Sequence, residues 1–234
     1  MIELKGEFNT AKLFTNTAEP TAIQQIEHLL NQEFTAGSKI RIMPDAHAGM
    51  GCTIGTTMTI TDKVVPNLVG VDIGCGMETA LLKDKRVELS QLDKAIHQHI
   101  PAGFNTRDTA HHYNEEINLR ALKCAKHVDM NRAELSIGTL GGGNHFIELG
   151  QDESGQLYLI IHSGSRNLGK QVCEHYQNAA ADQLGRKGKG MDRVLAYLQG
   201  EMLENYLHDM AIVQRYADLN RKAIIKVLEK KVKL

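Results

Sequence analysis

No apolar run of about 20 residues occurs in this 234-residue sequence, which argues against a membrane-spanning helix. The opening stretch MIELKGEFNT has no apolar core of the kind a secretory signal needs, and it carries Glu3 and Glu7. The chain is therefore expected in the cytoplasm. Neither sign of charge dominates: 27 Lys and Arg against 28 Asp and Glu leave a net charge of −1, which gives no hint of a nucleic-acid partner. Net charge says nothing about clustering, however. The final stretch KAIIKVLEKKVKL is locally basic and reads as a solvated helix face. Paired cysteines are missing too. Cys52, Cys75, Cys124 and Cys173 are scattered without a CxxC, so neither disulfides nor a structural zinc site is expected. Repeats, low-complexity segments and the HExxH, P-loop and GxSxG motifs are also missing.

What is present is ordered secondary structure punctuated by glycine. The length allows one large domain or two small ones. EPTAIQQIEHLLNQ places Ile23, Ile26, Leu29 and Leu30 on one helical face behind Pro20. KIRIMPD reads as a short strand ended by Pro44, and CTIGTTMTITD as an alternating, β-branched strand. ELSQLDKAIHQHI predicts a helix capped by Ser90, with Leu92, Ile96 and Ile100 facing inward. HHYNEEINLRALKCAKHV predicts a further helix, RAELSIGTL and FIEL predict strands, and QLYLIIHSGSR predicts a strand running into a loop. From Leu168 onward long helices dominate, with Gly200 as the one break in the stretch from Met191. The pattern predicts an α+β fold around mixed or antiparallel sheets, sheet-rich over 1–167 and helical over 168–234. The sequence ends inside a helical pattern without a capping glycine.

Many of the 21 glycines gather in four clusters beside a His, Asp or Cys. In MPDAHAGMGCTIG, Asp45 and His47 alternate at a strand end and share a face. In GVDIGCGM, Asp72 and Cys75 lie on one short turn and can reach one metal ion. In GTLGGGNHFIELG, the bare backbone of Gly141, Gly142 and Gly143 precedes Asn144 and His145, which suits an anion or a closely approaching nucleotide. Were HFIEL a strand, His145 and Glu148 would point to opposite faces and serve different groups. In IIHSGSRNLG, His162 ends an apolar strand, and Ser163 and Arg166 stand in a loop suited to phosphate. One carboxylate, one thiol and two imidazoles can serve one or two divalent metals, and ligand softness alone favours zinc. The remaining histidines fall in or near helical patterns and read as surface or core residues.

Taken in order, PDAHAGMGCTIG, GVDIGCGM, LGGGNHFIEL and HSGSRNLG resemble the N-terminal half of the RtcB family of RNA-splicing ligases. YADLNR, Tyr216 to Arg221, is similar to a helical segment of the same family, so the likeness runs from about Lys39 to Arg221. The resemblance implies an enzyme that joins RNA 2′,3′-cyclic phosphate or 3′-phosphate ends to 5′-hydroxyl ends, using GTP and manganese. It implies manganese where softness favours zinc, with two ions in the full site. Cys75, His145 and His162 match metal ligands and Asp72 matches the carboxylate of a second metal. Asn144 and Glu148 match contacts to the guanylate, and Asp45 matches a carboxylate near the reacting centre.

The family's ligases are longer. Their C-terminal half supplies another metal-ligand His and the His that becomes guanylylated, in a motif resembling HGAGR that this sequence lacks. The expectation is a truncated or split form that cannot complete the reaction without a C-terminal complement or an intact ligase as partner. Two alternatives remain open on sequence alone. One is a non-catalytic manganese- or nucleotide-binding module, and the other a metal-dependent phosphoesterase.

Overall fold

The computed structural model describes residues 1–83, 86–185 and 192–232. The helical reading at 186–191 and at the last two residues lies outside them. The chain forms two compact units, one of residues 1–71 and 173–206, the other of residues 72–172 and 207–234. The architecture is α+β with one mixed and one antiparallel sheet, and it ends in a long helix. Among the described residues no helix is long and apolar enough to cross a membrane.

The first unit opens with β1 (Ile2–Lys5) and β2 (Thr10–Leu13), followed by α1 (Pro20–Leu30), β3 (Ile40–His47), β4 (Ile54–Met58) and the short α2 (Pro66–Val69). Its sheet runs β1-β2-β3-β4, with β2 and β3 parallel and the other pairs antiparallel. Pro20 starts α1 at a position where its missing N–H has no helical partner to lose. Ile26 and Leu30 from α1 close over Leu13, Ile40 and Ile42 from the sheet. Contrary to expectation, Pro44 does not end its strand. β3 runs on to His47, and its pairing with β4 is irregular between Ile42 and His47, which accommodates a residue that cannot donate to the ladder.

The second unit holds β5 (Gly76–Leu81), α3 (Leu89–His99), α4 (Met130–Ser136), β6 (Phe146–Gln151) and β7 (Leu157–Ser163). The long helices α5 (Arg166–Gly185) and α6 (Glu201–Val232) complete the described elements. The antiparallel sheet has the order β5-β7-β6. β7 alternates strictly, burying Leu157, Leu159 and Ile161, which pack against Ala95 of α3, Ile100 just beyond it, and Ile224 and Leu228 of α6. Each such side chain contributes about 1.5–3 kcal/mol when fully buried.

Four sequence expectations are corrected here. Arg132–Ser136 is helical rather than extended, because Asp129 caps α4 by accepting from the Arg132 N–H at 2.9 Å. Residues 111–128 form three 3₁₀ turns instead of one helix. The buried Asp209 carboxylate takes the N–H groups of Lys123 and Cys124 at 2.7 and 3.0 Å, and Asn118 takes that of Arg120, so these donors leave no continuous helical ladder. The cap of α3 is Glu88 rather than Ser90; its carboxylate accepts from the Ser90 N–H and hydroxyl. Gly200, with φ +58°, does precede the start of α6, while Arg193–Leu195 before it forms a 3₁₀ turn rather than a continuing helix.

Candidate metal centre

Strand order determines which loops meet. β5 and β6 begin, and β7 ends, at the same edge of the antiparallel sheet, where His162 of β7 lies between Met77 of β5 and Phe146 of β6. Cys75 stands just before β5 and His145 just before β6. Asp72 joins them through a tight turn: the Cys75 N–H donates to the Asp72 carbonyl at 2.9 Å. Gly74 has φ +76° at the third position, as a type II turn requires. The buried Ile73 anchors this turn in the core.

The four side chains converge. His145 Nε2 lies 2.9 Å from Asp72 Oδ2 and 3.6 Å from Cys75 Sγ, and Cys75 Sγ lies 3.2 Å from His162 Nε2. One donor atom each from Asp72, Cys75 and His145 falls within 4.8 Å of the others, so the group can hold a metal ion. The 3.2 Å contact to Cys75 brings His162 to the same cluster. Two of the donors, Asp72 and His145, are oriented from behind. Asp72 Oδ1 accepts from the Ser165 N–H at 2.9 Å and the Ser165 hydroxyl at 3.2 Å, leaving Oδ2 toward the cluster. A side chain at Gly164 would overlap this carboxylate, which explains the glycine there.

His145 Nδ1 sits 2.9 Å from the Leu140 carbonyl, a pure acceptor, so Nδ1 carries a proton and Nε2 is the atom offered to the cluster. This bond, rather than strand alternation, aims the ring, because β6 starts one residue later. Arg166 Nη1 approaches Nδ1 to 3.4 Å and stands beside the ring as a cation. The guanidinium also donates to Thr139 Oγ1 and the Gly103 carbonyl. Among the described residues Arg166 is the one non-glycine residue with positive φ, at 58°. Its guanidinium fills the space that a side chain at Gly141 would need. Gly143 has φ +74° and open space around it. The glycine triplet thus admits Arg166 at its first position and turns the backbone at its third. Gly142, Gly143 and Arg166 also line an open pocket of about 390 Å³ with Phe104, Arg132 and Lys170.

The other expected residues are placed as follows. Asn144 and Glu148 are exposed, and Glu148, opposite Ile160 on β7, shares a sheet face with His162. Ser163 is fully buried; its hydroxyl donates to the Leu140 carbonyl at 2.8 Å and accepts from Asn220 at 3.1 Å, so it faces the interior. Asp45 and His47 belong to the first unit, where both are exposed and His47 Nδ1 lies 2.8 Å from the Asp45 carbonyl.

Two residues important to this site carry no chemical motif of their own. Asn220 of α6 is fully buried; its Oδ1 accepts from the Gly138 and Thr139 N–H groups at 2.8 and 3.1 Å. Its Nδ2 donates to the Thr139 carbonyl, the Ser163 hydroxyl and the Gly164 carbonyl, each at 3.1 Å. Arg221 Nη1 donates to the Gly74 and Ser163 carbonyls at 2.8 and 2.9 Å. One helix therefore fixes all three loops that bear the donors. A mid-helix Asn–Arg pair has no signature in spacing; its presence in the YADLNR segment is the one signal the sequence offers.

Asp72 and His145 form an ion pair at 2.9 Å. Hydrogen bonds from Asp72 and then Cys75 outweigh burial and raise His145 from 6.5 to about 9. Burial pushes Asp72 upward, but His145, Ser165 and Arg166 outweigh it and hold the carboxyl below its usual range. A raised imidazole stabilises the fold fully below its unfolded value, and that contribution fades as pH rises through the folded value. The chelated protein is therefore expected to lose on the order of 2 kcal/mol between pH 6.5 and 9. His145→Gln should lack this loss. Urea unfolding in chelator checks it, and an equal pH response in both proteins contradicts it.

The sequence profile of the family described as tRNA-splicing ligase RtcB matches residues 25–128 and 110–233. The RNA-splicing ligase RtcB of Escherichia coli K12 is 34% identical over 231 aligned residues, covering 88% of this chain and 56% of that protein. RNA-splicing ligase RtcB homolog 1 of Entamoeba histolytica is 27% identical over 237 aligned residues, covering 78% of this chain and 45% of that protein. The chain spans about half the length of the curated relatives it matches. The extent of the profile match, together with the ordered motifs, places this chain in the RtcB family.

Proposed function

We propose that this chain is the metal- and nucleotide-binding portion of a GTP- and manganese-dependent RNA ligase. The complete activity joins an RNA 2′,3′-cyclic phosphate or 3′-phosphate end to a 5′-hydroxyl end. The observation that carries this reading is the meeting of Cys75 Sγ, His145 Nε2, His162 Nε2 and Asp72 Oδ2 at one sheet edge. The donor set fits a divalent cation: one thiol, two imidazole nitrogens and a carboxylate oxygen with its partner oxygen already held by Ser165. Cys75, His145 and His162 would hold Mn²⁺, and Asp72 would serve a second ion. When bound, the metal would neutralise charge on the phosphates of GTP.

The chain's own groups do the positioning. Arg166 stands at the boundary of the cluster and the 390 Å³ pocket, where its guanidinium can pair with a phosphate oxygen. Asn144, exposed beside the glycine triplet, can donate to a phosphate, and the Glu148 carboxylate can accept from the edge of a guanine. Ser163 holds the loop rather than the ligand. For Asp45 the role near the reacting centre rests on the family resemblance alone. The sequence lacks the motif that carries the guanylylated His. The chain incubated with labelled GTP and manganese is therefore expected to bind GTP reversibly and form no covalent GMP adduct. A stable adduct after denaturing electrophoresis contradicts the missing-nucleophile reading. No manganese-dependent GTP binding by equilibrium dialysis contradicts the functional assignment itself.

A further inference from the structure

The second unit contains a second cationic concavity, of about 480 Å³, lined by His99, Arg107, His111, His112, Lys230 and Lys231 together with two apolar residues. No carboxylate contributes to its lining. Among the described residues, Arg107, Lys230 and Lys231 make no ion pair. The Arg107 Nε–H is buried without an acceptor, so no internal acceptor accounts for its position. Lys230 and Lys231 are exposed at the last turn of α6, within the basic stretch that closes the sequence. Burial first, and then the charges of His112, Arg107 and Lys230, push His111 down to about 4, as expected where positive charge accumulates uncompensated. The exposed His112 and half-buried Tyr113 offer flat surfaces as well, with ring centroids 4.6 Å apart, and the buried His111 ring lies 4.3 Å from that of His112.

The chain path links this concavity to the first pocket. His99 lines the second. The chain then pairs with the glycine triplet, where the Gly103 N–H donates to the Gly141 carbonyl at 2.8 Å. Gly103, Phe104 and Asn105 line the first pocket, and Arg107 and the residues from Ala110 return to the second. One short segment therefore borders both. Cations with interleaved rings along such a border suit a single strand, whose phosphates pair with the cations while its bases stack.

We propose that the concavity of Arg107, Lys230 and Lys231 is a second phosphate-binding site, which holds a backbone phosphate of single-stranded RNA away from its reacting end. This rests on the RNA-ligase reading and adds a subsite distinct from the metal centre. The test uses the full chain, a short fluorescent single-stranded oligoribonucleotide and a salt titration. Lys230→Gln/Lys231→Gln changes two exposed side chains outside the cluster, so folding and Mn²⁺ uptake should match the wild type. RNA affinity should fall several-fold, and the slope of log affinity against log salt should flatten by about 0.7–1 for each phosphate no longer neutralised. Unchanged affinity and slope overturn the second site and leave the ligase reading intact. A wild-type chain that binds no RNA overturns both.

Discussion

Cys75→Ala is expected to lower Mn²⁺ affinity by roughly a hundredfold or more, since even a residue that merely orients a ligand is worth 10- to 100-fold. The thiol is the hub of the cluster, 3.6 Å from His145 Nε2 and 3.2 Å from His162 Nε2. It is also exposed, so its removal leaves no buried cavity and little destabilisation is expected. The loss should therefore appear in metal titration, by electron paramagnetic resonance of free Mn²⁺, with the unfolding midpoint nearly unchanged. A variant that binds Mn²⁺ as tightly as the wild type would remove the thiol from the centre. By contrast Cys124 and Cys173 are buried, and burial raises both thiols, Cys173 to about 12, which leaves them poor ligands at neutral pH.

The largest effect on stability is expected from Asn220→Ala. It strips acceptors from the Gly138 and Thr139 N–H groups, and donors from two carbonyls and a hydroxyl, all around a fully buried position. Orphaned buried backbone groups cost about 1–3 kcal/mol each before relaxation, so a net loss of about 3 kcal/mol is expected. For a chain of this size that corresponds to roughly 6–12 °C in the thermal midpoint. Metal affinity should fall as well, because the same amide holds the loops that bear His145 and His162. Asn220→Asp keeps both acceptor contacts but turns a second acceptor oxygen toward the Thr139 and Gly164 carbonyls in a fully buried site, so it too should be less stable than the wild type. Wild-type stability in Asn220→Ala, measured by urea unfolding, would contradict this account.

The four side chains of the candidate cluster are legible in the sequence because each stands beside glycine near a strand end, where polarity of this kind favours a ligand over packing. Asp72, Cys75, His145 and His162 can be grouped on that ground alone. The supports are less legible. Asn220 and Arg221 look like any polar pair on a long helix, and only their hydrogen bonds to three loops distinguish them. The first glycine of the triplet suggests an approaching ligand, yet its space is occupied by Arg166. Two of the segments whose helical or extended character differs from expectation share one cause: side-chain acceptors that compete for backbone N–H groups. Asp129 starts a helix where a strand is expected. Asp209, far away in sequence from Lys123 and Cys124, holds two N–H groups that a helix would have used.

The ladder between β7 and its two neighbours also serves as the ruler of the candidate metal centre. Side chains on a strand alternate between faces, so sliding β7 by one residue would turn His162 into the core and present Ile161 in its place. The buried row Leu157, Leu159 and Ile161 forbids that slip, since it would expose three apolar side chains at once. Oily residues outside the cluster thus decide which side chain of β7 reaches the Cys75 thiol.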